Sequence, residues 1–160
     1  DTDVAGYSVR RLNHYLGKPV RHAWSADSVV RVVHRGRGRW TDATVHEVLE
    51  VDGPVVSLPG ELVHHPYRDL DDHLVKLTQY ARLGANDAHV AGRAFRAHQL
   101  VTHPVAAFTR RYRVRMGFLD GVRGLIVACS AALSAFLKYA YLFQLQRSGS
   151  KGSDDVGGRS

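Results

Sequence analysis

The chemistry open to this sequence rests on a few carboxylates and histidines. Asp27 lies between Trp24 and a β-branched run that begins near Val29, where a carboxylate at the start of a strand can face a cleft, or can simply form a turn or cap. His46-Glu47 sets an imidazole nitrogen, a possible metal ligand, beside a carboxylate that can act as a base or accept a hydrogen bond. Adjacent residues of a regular strand face opposite ways, so this pair reaches one ion only from a strand end or a bulge and is otherwise structural. Asp1-Thr2-Asp3 has the form of an Asp-x-Asp cation-binding motif without the apolar strand that should precede it, and His64-His65 has no spaced third ligand. The single cysteine, Cys129, excludes an intramolecular disulfide and a zinc site of paired cysteines. There is no P-loop, no Gly-rich dinucleotide turn and no Gly-x-Ser-x-Gly elbow.

The elements that must position these residues fall into three regions. Residues 5–66 read as β-rich, with strand patterns over Ser28–His34 and Thr44–Val51. Gly36–Gly38 reads as a hairpin tip, and Asp52-Gly53-Pro54 and Leu58-Pro59-Gly60 as two further turns. These strands are too few to close a barrel, so the sheet is expected to continue in further sequence. From Asp69 the period becomes helical: Asp69 caps, Asp71 and Asp72 sit in the first turn where the dipole favours acids, and Leu70, Leu74, Leu77 and Ala81 form a stripe. Helix is expected to about Leu100, with His103-Pro104 as punctuation before an amphipathic basic helix over 108–116, a turn over 117–121 and a long apolar helix over 125–145. The Gly/Ser-rich stretch 148–160 reads as a disordered tail.

The chain has 160 residues and a net charge of +7. That length suits one domain, or part of a larger one, and a chain opening on Asp1 is expected to be a piece of something longer. Residues 1–89 hold eleven basic and twelve acidic side chains, whereas 90–147 hold nine basic against Asp120 alone. The excess therefore sits beside the longest apolar run. Gly124–Leu137 is free of charge and Lys138 interrupts before Tyr139-Ala-Tyr141, so 110–145 is read as addressing an anionic membrane surface, a buried core helix and a span being the other placements. The same arginines lack the interleaved aromatic platforms and base-reading Asn or Gln of a nucleic-acid site, and none is expected.

Several short motifs occur in register: His22-Ala-Trp24-Ser-Ala-Asp27 leading into Arg31, Thr44-Val-His46-Glu47, Glu50-Val-Asp-Gly53-Pro54, Leu58-Pro-Gly60, His64 through Asp69, Gly117-Phe-Leu-Asp120-Gly121 and Phe136-Leu-Lys-Tyr139. In order and spacing they resemble the C-terminal part of bacterial family 2 glycosyltransferases, with the strongest likeness to lipopolysaccharide inner-core glucosyltransferases. The resemblance runs from about Val4 to Arg147. It implies an α/β chain forming the C-terminal part of a GT-A fold, with a small mixed sheet over 5–66 followed by helices over 69–146. Residues 1–68 would be the acceptor-side sheet, 69–147 a helical membrane-associating region and 148–160 the tail.

The resemblance further implies inverting transfer of a sugar from a nucleotide-sugar donor, a divalent cation (Mg or Mn), a lipid-linked glycan acceptor and a peripheral place on the cytoplasmic face of the bacterial inner membrane. By the same matching, Asp27 is the candidate general base, Arg31 and Trp24 contact substrate, His46 touches the metal or diphosphate, and Glu47 orients acceptor or base. The donor-binding strands of such enzymes precede the matched part, so Asp1-Thr2-Asp3 corresponds to a variable loop, and the chain by itself is expected to be inactive. Ser25-Ala26 stands where relatives commonly carry Tyr-Pro, a departure in the loop before Asp27. A non-catalytic membrane-binding module is the alternative reading, and a basic nucleic-acid-binding protein a more distant one.

Overall fold

A computed structural model describes residues 3–24, 27–41 and 49–154, with side chains to 148. The chain is α/β, strands first and helices after, and divides into two compact units, one of Asp1–His14 with Ser25–Pro66 and one of Tyr15–Trp24 with Tyr67–Ser160.

The first unit is a mixed sheet. Its long strand β1 (Gly6–Tyr15) pairs antiparallel with β3 (Ser28–Val33) and parallel with β6 (Val55–His64). The short strand β2 (Lys18–Val20) falls in the second unit. β4 (Gly38–Trp40) and β5 (Leu49–Val51) form a separate antiparallel pair, so the Gly36–Gly38 turn leaves β3 without folding β4 back onto it. Leu58-Pro59-Gly60, expected as a turn, lies inside β6. Ser8 pairs with Ser57 and Arg10 with Glu61, so β6 fits extra residues into that interval as a bulge. Pro59 has no N–H for the ladder, and Gly60 takes φ +106, a value that a side chain would resist. β6 is exposed from Val55 to Val63, apolar Val56, Leu58, Leu62 and Val63 included.

The second unit is helical. α1 (Leu70–Val90) starts as expected, the Asp69 carboxylate accepting from the Asp72 N–H at 2.7 Å. Its buried face is rotated from the expected stripe: His73, Leu77, Ala81, Ala85 and Ala88 are buried, while Leu70 and Leu74 are exposed. The i, i+4 spacing holds, but small alanines allow close helix approach and the aromatic environment of His73 draws that residue inward. α2 (Gln99–Thr109) contains Pro104 in its interior, so the proline lies within the helix rather than before it. A wide π turn follows over Arg110–Val114, closed by Arg115 N–H donating to the Arg110 carbonyl at 3.0 Å, and then a 3-10 turn over Gly117–Asp120.

α3 (Gly121–Asp154) packs against α1 and α2 and continues past 147, where the composition alone would end the helical region. One core joins Tyr15, Val20, Ala23 and Val127 with Trp24 and Tyr67, and another joins Ala85, Ala88 and Leu142 with Phe95 and Tyr139. The stretch Gly117–Ser148 is long and apolar enough to cross a membrane (mean hydropathy 1.7), and 22% of its most apolar window is buried in the protein. Val122, Leu125, Leu133, Phe136 and Phe143 follow one another along an exposed stripe of α3.

Candidate functional site

Asp27 stands just before β3 and is held from β1. Its carboxylate takes a two-point ion pair from Arg11, with Arg11 Nε at 2.9 Å from Oδ1 and Nη2 on Oδ2, and its carbonyl accepts the Arg11 N–H at 2.8 Å. An ionised carboxylate has about four lone-pair directions, so two remain for a hydroxyl donor. The Asp27 side chain is half-exposed, so an incoming molecule can reach it.

Arg31 sits on a bulge. Tyr7 pairs with Val32 and Ser8 with Val30, so Arg31 is the extra residue of β3 at that register shift. Bulges re-aim a side chain and are common next to active sites. Parallel pairing of β6 with β1 places His64 opposite Asn13. Burial and then the charges of Arg11 and Arg31 push the His64 pKa below its ordinary value, with Asp27 opposing them, so the imidazole is neutral near pH 7 and can accept a hydrogen bond. His65 adds to the same field and its ring lies 5.4 Å from that of His14. Asp27, Arg11, Arg31 and His64 thus share one electrostatic neighbourhood, a role for His64 that the sequence did not assign although His64 opens one of the matched motifs.

Trp24 falls in the helical unit, where its ring lies 5.1 Å from Tyr15 and 5.9 Å from Tyr67 in the aromatic core. His46 and Glu47 lie outside the described residues. Among the described residues no three His, Cys, Asp or Glu side chains converge as a cation site requires, so that part of the chain does not by itself fit a divalent metal.

Asp120, from the Gly117–Gly121 motif, is fully engaged within the helical unit. Its carboxylate accepts the backbone N–H groups of Arg21 (3.0 Å), His22 (2.9 Å) and Ala23 (2.8 Å), with His22 Nδ1 at 3.1 Å. Burial acts to raise its pKa, but these hydrogen bonds outweigh it and hold the carboxyl below its ordinary value. The side chain is 5% exposed. Two of the arginines expected to face a membrane are also tied inward: Arg111 Nη1 donates to the Ala23 carbonyl at 3.0 Å, and Arg123 donates to the carbonyls of Tyr15 and Leu16.

Over nearly its whole length the chain is similar in sequence to a known protein. It is 27% identical over 149 residues, 89% of this chain, to the lipopolysaccharide core biosynthesis glycosyltransferase LpsC of Rhizobium meliloti (strain 1021). The chain is similar to a glycosyltransferase. It spans about half of that relative, 54% of its length. No protein-family profile matches the chain, and no solved structure does.

Proposed function

We propose that this chain is the acceptor-side, membrane-facing part of an inverting family 2 glycosyltransferase of GT-A architecture. The enzyme moves a sugar, in this reading a hexose, from a nucleotide-sugar to a lipopolysaccharide-core or other cell-envelope glycan carried on lipid. The observation that carries the reading is the similarity to LpsC across 89% of the chain. The exposed apolar edge of β6 supports a sheet that a further strand extends. The exposed apolar stripe of α3 supports peripheral attachment to a membrane, here the cytoplasmic face of the bacterial inner membrane.

In this mechanism Asp27 takes the proton of the acceptor hydroxyl on its free lone pairs as that oxygen bonds to the anomeric carbon, while the bond from that carbon to the diphosphate breaks. Arg11 fixes the carboxylate, and Arg31 with neutral His64 orients the acceptor by hydrogen bonds. The divalent cation, Mg or Mn, belongs with residues outside the described part, and His46 is the contact assigned to it in this chain. With most of the donor site supplied by the other half of the enzyme, the chain alone is inactive.

Sugar transfer by the isolated chain and by a chain extended to the full length of its relative tests both statements. Transfer by the isolated chain refutes the division of labour. In the extended enzyme Asp27→Asn lowers kcat by about 10²–10⁴ with donor KM little changed, the range for a lost general base; an unchanged kcat removes Asp27 from the mechanism. A non-catalytic membrane module is the second reading, favoured by the α3 stripe, and an extended chain that binds vesicles but never transfers sugar would support it.

A further inference from the structure

Lys138 is the one charge in the apolar part of α3, and the fold gives it a place. Its stem lies over Gly84 of α1, where an added Cβ would meet Lys138 Cδ and Cε at 3.5 Å. Here α1, the π turn and α3 enclose an open groove of about 490 Å³. Arg110, Arg111, Arg115 and Lys138 line it with Tyr80 and Ser134, and no carboxylate is among the described residues of its wall. Asp120, the single acid of 90–147, is engaged with the backbone of Arg21–Ala23. Positive side chains gathered on one groove set up a field that draws an anion into it. Consistent with this, burial and then Arg115 and Arg110 lower the pKa of Arg111.

The groove runs into a recess of about 170 Å³, sharing Tyr80, Arg111 and Ser134, to which Trp24, Tyr67 and Ser130 add aromatic faces and a hydroxyl. Cations for a phosphate beside aromatic faces and hydroxyls for a small polyhydroxylated ring form one continuous surface. At 3.6 residues per turn, Ser134 and Lys138 lie on the side of α3 opposite the exposed stripe of Leu125, Leu133 and Phe136. A ligand therefore enters from the side away from that stripe, which favours a soluble phosphate ester over a lipid headgroup.

We propose that this groove binds a small phosphorylated sugar, with its phosphate among Arg110, Arg111, Arg115 and Lys138 and its ring against the aromatic recess. The site is separate in its residues from the Asp27 cluster and does not rest on the glycosyltransferase reading.

The test is calorimetric titration of the full 160-residue chain with glucose 6-phosphate, with glucose and with phosphatidylglycerol vesicles. Glucose 6-phosphate is expected to bind at one site with affinity that falls as salt rises, and glucose not to bind. Lys138→Met keeps the stem over Gly84 and the unfolding midpoint, and weakens the phosphate ester by roughly tenfold or more, as for loss of a charged hydrogen bond. Lys138→Arg restores most of it, and Arg113→Met, outside the groove wall, leaves it unchanged. Absence of glucose 6-phosphate binding, equal binding of glucose, or a Lys138→Met chain that binds glucose 6-phosphate like wild type while losing only vesicle binding would each overturn the proposal.

Discussion

Replacing Asp120 by alanine tests the most specific long-range contact in the helical unit. Three backbone N–H groups, of Arg21, His22 and Ala23, lose their acceptor together. That of Arg21 is exposed and can turn to water, so the loss falls on the two partly buried donors. At about 1.5–3 kcal/mol for each hydrogen bond to a charged group, Asp120→Ala destabilises by about 3–6 kcal/mol. For a chain of this size that lowers Tm by roughly 10 °C or more. Asp120→Asn keeps an acceptor oxygen without the charge and falls between. The assay is urea unfolding followed by tryptophan fluorescence, in which Trp24 reports this unit, alongside far-UV circular dichroism. The pH dependence supplies a second arm. The folded pKa of Asp120 is depressed, so its contribution is fully present above the ordinary carboxylate pKa and is lost as pH falls through the lower folded value. The gap between wild type and Asp120→Asn must therefore narrow in acid. A loss below about 1 kcal/mol for Asp120→Ala, within the range of an ordinary neutral hydrogen bond, refutes the reasoning, as does a gap that stays constant down to strongly acid pH.

His73 is buried, stacks on Tyr67 with ring centroids 4.1 Å apart and shares a 2.8 Å hydrogen bond with the Tyr15 hydroxyl. Burial depresses its pKa from 6.5, so its contribution is complete above that value and declines as pH falls below it; His73→Phe, read by urea midpoints across that range, should flatten the dependence. Gly124 lies in the first turn of α3, where a Cβ would land on the Gly117 carbonyl oxygen, a backbone atom that cannot swing aside. Gly124→Ala should destabilise by about 1–3 kcal/mol or more, and Gly121→Ala, where an added Cβ meets nothing but φ +62 with ψ −141 is a conformation that glycine alone adopts readily, should cost about 1–3 kcal/mol through backbone strain; thermal melts measure both.

Local patterns made much of the fold legible in the sequence. The Ser28–Val33 strand, the Asp52–Gly53 turn and the Asp69 cap each depend on neighbours in sequence, so period and turn chemistry reveal them. Leu58-Pro59-Gly60 carries the same residues whether it turns the chain or bulges a strand, and only its pairing with β1 decides between them. The buried side of α1 was misread because leucine outranks histidine in any apolar pattern, while the aromatic partners of His73 come from distant segments. Asp27 was visible as a carboxylate at a strand start. Arg11, which holds it, and His64, which joins it through parallel pairing of β1 and β6, could not be found by spacing.

The same distinction changes the meaning of the basic excess in 90–147. In sequence it is a block of charge beside an apolar helix, and a polybasic membrane flank is its natural reading. In the folded unit the positive residues separate by task. Arg111 donates to the Ala23 carbonyl and Arg123 to those of Tyr15 and Leu16, so their removal acts on stability. Arg110, Arg115 and Lys138 join Arg111 around one groove, so their removal is expected to act on the anion proposed to bind there. In the membrane attachment proposed above, the apolar stripe of α3, on the side away from that groove, would act by burial of surface, a force that salt does not screen. Vesicle binding through that stripe is therefore expected to persist at ionic strengths that release the proposed phosphate ester from the groove, and a salt titration separates two proposed roles that the sequence presents as one.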